Sequence, residues 1–158
     1  TGSQTYQSDV TIEGDVTINA GGEVQFEGEV TGDDEITYTG WAVRSGGTSG
    51  TLCNSVSVLA DGSSIVTGKF QGTATFGSTT LTSAGSNDEF VAKLDAGGDY
   101  QWAARAGGNA SEDSHSVSVL ADGSSIVTGK FENTASLGNT TLTRAGGRDV
   151  FVAKIDSK

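Results

Sequence analysis

The sequence predicts an all-β protein built from two copies of one 61-residue unit, preceded by a short-stranded β segment. Three observations carry that expectation. Ser55–Phe70, SVSVLADGSSIVTGKF, returns unchanged at Ser116–Phe131, 61 positions later. Self-similarity at a fixed period marks an architecture whose unit cannot bury its faces alone. Apolar residues alternate over short runs separated by Gly-containing turns, which is the period of strands. Gly is abundant at 24, Pro is absent, and Ser and Thr fill the gaps, the composition of a turn-rich extracellular β protein.

Residues 1–40 stand apart. After a polar lead, short units each begin with an acid and a Val: Asp9-Val10, Asp15-Val16, Glu23-Val24 and Glu29-Val30. Val10/Ile12, Val16/Ile18 and Val24/Phe26 alternate, so each short strand has one apolar face. Such strands cannot be stable alone. They are expected to coil as a stalk or to lie along a neighbour's sheet edge. Asp9, Asp15, Glu23 and Glu29 could form an oxygen ladder for Ca²⁺. No recognised loop spacing is present, so a solvated acidic face is the preferred reading.

Residues 41–158 hold the two copies, 41–101 and 102–158. In the first, Ser55–Ala60 reads as a strand and Asp61-Gly62 as its turn, since Gly accepts a positive φ. Ser64–Phe70 is the second strand. A loop over Gln71–Gly77 and a short extended piece, Thr79–Ser83, follow. Glu89–Asp95 is the third strand, Ala96-Gly97-Gly98 a turn, and Tyr100–Ala106 the fourth strand. Four short antiparallel strands, apolar or small on both faces, describe a propeller blade held between two neighbours.

The pattern carried by Asp61–Phe70, Phe76–Gly85, Asp88–Asp95 and Trp102-Ala103 resembles the bacterial β-propeller repeat of large secreted and surface proteins. It recurs at Asp122–Phe131, Leu137–Gly146 and Asp149–Asp156. The resemblance covers residues 41–158, implies a bladed fold and implies no catalytic residues. Leu137 stands where the first copy has Phe76, which is expected to soften packing slightly.

The second copy stops after its third strand, whereas Trp41-Ala42-Val43-Arg44 opens the repeat region, ahead of the first full blade, and matches Trp102–Arg105 of the fourth strand. Two blades cannot close a ring, because propellers use about four to eight. Trp41–Arg44 is therefore expected to complete the second blade of another copy, along Phe151-Val152-Ala153-Lys154-Ile155. That contact is head to tail and gives a ring if the rotation closes, a filament if it does not. Three chains would make six blades, as in small fucose-binding lectins of unlike sequence. The partner expected is thus the chain itself.

A net charge of -11 and a pI near 4.2 argue against nucleic acid and anionic membranes. No apolar run is long enough to span a bilayer. With no secretory signal and no Met, the chain reads as a processed or excised piece, extracellular or surface-exposed, a virion fibre being one setting. Cys53 is the single cysteine, so no internal disulfide exists.

The only His, His115, matches Asn54 and has no second His or reactive Cys near it in sequence, which leaves a triad or zinc site without support. Asp95, Gly97 and Asp99 have a calcium-like rhythm, complete in one copy alone. An enzyme is not expected. Carbohydrate binding is the rival reading. The copies differ most in segments read as loops, Thr48–Asn54 against Asn109–His115, and Trp102, Arg105, Asn54 and His115 are the candidate glycan contacts. Trp102 and Arg105 lie an odd number of positions apart and should face opposite sides of a strand.

Overall fold

Alternating runs become ladders wherever a turn lets two of them face each other. The computed structural model describes residues 40–157, and its regular elements are all strands. The first copy supplies β1 (Gly46–Gly47), β2 (Thr51–Val58), β3 (Ser64–Phe70), β4 (Thr73–Phe76), β5 (Thr79–Thr82) and β6 (Asp88–Leu94). β7 (Tyr100–Gly108) follows. The second copy supplies β8 (Glu112–Val119), β9 (Ser125–Phe131), β10 (Thr134–Leu137), β11 (Thr140–Thr143) and β12 (Asp149–Ile155). The short strands and acidic ladder expected over residues 1–39 lie outside the described residues.

The strands form three antiparallel sheets, none closed. A first sheet runs β2-β3-β6-β7 and carries β10 and β11 beyond β7. A second runs β8-β9-β12, and a small one runs β1-β4-β5. The turns form as their residues dictate. Leu59 and Ser63 close a tight loop (2.8 Å) in which Asp61 accepts from the Ser63 amide at 2.9 Å and Gly62 takes φ +83°.

Three expectations need correction. The first strand begins at Thr51, not Ser55, because a β-bulge at Asn54 breaks the alternation while the ladder continues from Cys53 to Gly68 and Thr51 to Phe70. The segments that differ between copies are therefore strand along Thr51–Asn54 and Glu112–His115, not loop. The stretch read as a loop, Gln71–Gly77, contains β4, which pairs with β5 from Thr73↔Thr82 to Phe76↔Thr79. Trp41–Arg44, expected to pair with another copy, forms no ladder among the described residues of the single chain.

The first and second sheets stack face to face. Ile65 and Val91 of the first pack with Val117, Val127 and Phe151 of the second, and Trp102 covers the group. Each such aliphatic or aromatic side chain contributes about 1.5–3 kcal/mol when fully buried. A second core lies within the first copy, where Phe76 meets Phe90 at 4.6 Å and Tyr100 edge-on at 5.8 Å. Leu137, in place of Phe76, is only half-buried.

Candidate assembly site

In the first sheet β6 lies between β3 and β7, with Phe90 opposite Arg105, Val91 opposite Ala104, Ala92 opposite Ala103 and Lys93 opposite Trp102. Its counterpart β12 pairs with β9 alone among the described residues. The consequence is visible in exposure. Phe151 is buried against the core, yet Val150 and Val152 are 79% and 70% exposed. A free strand edge flanked by exposed valines is a template for another strand.

Trp41–Arg44 has the opposite character, a seated side chain without a ladder. Trp41 Nε1 donates to the Ala96 carbonyl at 2.9 Å, and its ring lies against Gly98. A Cβ at Gly98 would meet that ring at 2.5 Å, and its φ of +86° favours Gly independently. Trp41 and Val43 line a groove together with Cys53, Val56, Val66 and Tyr100. The chain then enters β1, with Gly46↔Thr75 and Gly47↔Ala74. Gly107↔Ser136 and Gly108↔Ala135 repeat that register in the second copy. Residues 41–47 thus approach the first copy as 102–108 approach the second. The difference is that Trp102–Arg105 has β6 beside it.

The four candidate glycan contacts do not converge. Trp102 faces the second sheet, whereas Arg105 lies on the opposite face of β7 and pairs with the buried carboxylate of Asp88. Asn54 donates to Asp113 Oδ1 at 2.8 Å in the contact between sheets, and His115, in the equivalent bulge of β8, is exposed. Asp95 is occupied as a turn organiser. Its Oδ1 accepts from the amides of Gly97 (2.9 Å) and Asp99 (3.0 Å), and its Oδ2 from Gln101 (2.7 Å). No group of three or more His, Cys, Asp or Glu is arranged for a metal ion among the described residues.

A set of acids that drew no attention in the sequence lines the contact between sheets. Glu89 and Glu112 are 2% and 1% exposed. Burial, reinforced by the charge of Glu112, pushes Glu89 up to about 8. Burial raises Glu112 as well, and its Oε2 accepts from the Gly108 amide at 2.8 Å. Asp113 goes the other way. Burial opposes its charge, but Lys69 (2.9 Å) and Asn54 outweigh burial and hold it below the usual carboxylate range. The signal for these residues was the alignment of the copies, which sets Glu89 against Val150 and Asp113 against Leu52.

No protein-family model matches this chain, and no curated protein matches it either.

Proposed function

We propose that this chain is a non-enzymatic, extracellular structural subunit whose copies join head to tail by strand completion. Trp41–Arg44 of one copy would pair with the free edge of β12 in another, as a blade strand in a β-propeller repeat. One observation carries this reading. The ladder between β6 and β7 has a complete set of equivalents in which, among the described residues, the β12 half is open and the Trp41–Arg44 half unpaired. Main-chain hydrogen bonds would supply the affinity, and Trp41 the register. Such a contact gives a closed ring or a filament according to its rotation.

Transferring the β6–β7 register predicts the partners residue by residue. Val43 of one copy faces Val152 of the next, and Ala42 faces Ala153. Opposed residues on antiparallel strands lie about 4.5–5.5 Å apart at Cα, within disulfide range. With Cys53 replaced by Ser, chains carrying Val43→Cys and Val152→Cys are mixed and oxidised. A cross-linked heterodimer is expected, with little product from the off-register pair Ala42→Cys and Val152→Cys. Equal cross-linking in both registers, or none, overturns strand completion.

A further inference from the structure

Val56 and Val117 occupy the same position of an identical segment, yet Val56 is 58% exposed and Val117 6%. Ile65 and Ile126 differ in the opposite sense: Ile65 is 2% exposed and Ile126 only half-buried. Identical sequence cannot cause these differences; the neighbour does. The first sheet presents Ile65 and Thr67 to the second sheet, which receives them on Val117 and Ser114. Among the described residues, this leaves the reverse face of the first sheet, with Val56 and Val58, and the reverse face of the second, with Ile126 and Val152, each lacking the cover its counterpart has.

We propose that these two faces dock on each other between copies of this chain, reproducing the internal contact. The proposal rests on the head-to-tail reading above and names its side-chain surface. The internal contact serves as a built template. Ser55 Oγ accepts from the Val117 amide and Ser57 Oγ from the Val119 amide, both at 3.2 Å. Ser116 and Ser118 stand ready to accept the amides of Val56 and Val58 of a second copy, since these residues are the same in both segments. Trp41, already seated against Gly98, occupies toward the first sheet the place Trp102 occupies toward the second.

The residues that differ between the copies point to a second copy as the occupant. Inside the chain Asp113 meets Lys69 and adds its field to Glu89, so the contact is polar and charged at that corner. The equivalent corner between copies would bring together Leu52 for Asp113 and Val150 for Glu89. Both are exposed in the single chain, at 56% and 79%. The two acids of the internal contact, Glu89 and Asp113, are thus replaced by apolar residues at both equivalent positions, while Lys130 keeps the place of Lys69. Cys53, exposed here, takes the place of the fully buried Ser114.

Complementation tests the face pairing apart from the strand pairing. Val56→Glu spoils the first-sheet face and Ile126→Glu the second-sheet face, and both side chains are at least partly exposed, so folding is retained by circular dichroism. Each variant alone is expected to remain monomeric by sedimentation at concentrations where the unaltered chain associates. Their 1:1 mixture should form a discrete heterodimer, because one intact face of each kind remains. Cys53 should react with a thiol reagent at least tenfold more slowly in the assembled unaltered chain than in either variant alone. Should either variant have lost its fold, Val58→Glu and Thr128→Glu replace them. The proposal is overturned if a variant alone associates like the unaltered chain, if the mixture stays monomeric, or if the unaltered chain stays monomeric throughout. Cross-linking of Val43→Cys to Val152→Cys in an Ile126→Glu background would leave strand completion standing and remove the docked faces. A heterodimer without that cross-link would do the reverse.

Discussion

The hydroxyl of Thr67 in β3 lies 2.8 Å from that of Ser114 in β8, and both residues are fully buried. Ser114 donates onward to the Gly68 carbonyl at 3.0 Å, and Thr67 also lies 2.8 Å from the Phe90 carbonyl. Two hydroxyl protons therefore serve three contacts across the join of the sheets. Such a network couples its members, because removing either leaves the other short of a partner. Thr67→Val and Ser114→Ala should each cost about 1 kcal/mol, or up to about 3 if a buried group is stranded. The double variant should cost less than the sum. Urea unfolding of the four chains, at concentrations below self-association, gives the coupling directly. Strict additivity would show that the two hydroxyls act independently.

Glu89 predicts a pH dependence opposite to that of an ordinary paired carboxylate. Its folded pKa is pushed to about 8, against about 4.5 unfolded. Below about 4.5 both states hold the proton and Glu89 is neutral to stability. Between the two values the unfolded chain releases the proton and the folded chain keeps it, so stability falls as pH rises. Glu112, also raised by burial, adds in the same direction. Asp113, held low by Lys69 and Asn54, loses its contribution only in more acidic solution. Thermal unfolding should thus move to lower temperature from about pH 5 to pH 8, and Glu89→Gln should flatten that slope. A Glu89→Gln chain with the unaltered slope would place the titration elsewhere.

Much of the architecture was legible because the duplicated segment carries its own turn chemistry. Asp61-Gly62 with Ser63 fixes one loop, and Asp95 with Gly98 fixes another. The bulge at Asn54 was not legible. It inserts one residue into a period-2 pattern, and the strand before it then reads as irregular. β4 was hidden for a different reason. Thr73-Ala74-Thr75-Phe76 buries Ala74 and Phe76, but Ala is too small to register as one half of an apolar alternation. The buried acids were invisible singly, since an acid on a strand normally reads as a solvated face. They stand out only when Glu89 is set against Val150 and Asp113 against Leu52.

Trp41 and Trp102 should respond differently to the same truncation, and that difference separates contact between copies from contact within one. Trp102 packs on the core between the sheets from a strand with a complete ladder. Trp102→Ala should therefore unfold the chain more easily, by about 3–5 kcal/mol if its site does not relax. Trp41 is 43% exposed in the single chain, so its truncation should cost that chain little. In the proposed assembly the same ring is enclosed between two copies, and Trp41→Ala should weaken association severely. Trp41→Phe keeps an aromatic ring and loses the donor to Ala96, a hydrogen bond of about 1 kcal/mol, so it should fall between. High salt should change none of this, because no ion pair is invoked at the strand contact. Light scattering across protein concentration and salt reads association, and thermal unfolding of dilute chains reads stability. If Trp41→Ala lowers stability as much as Trp102→Ala and leaves association intact, the ring belongs to the single chain's core and copies are not joined through it.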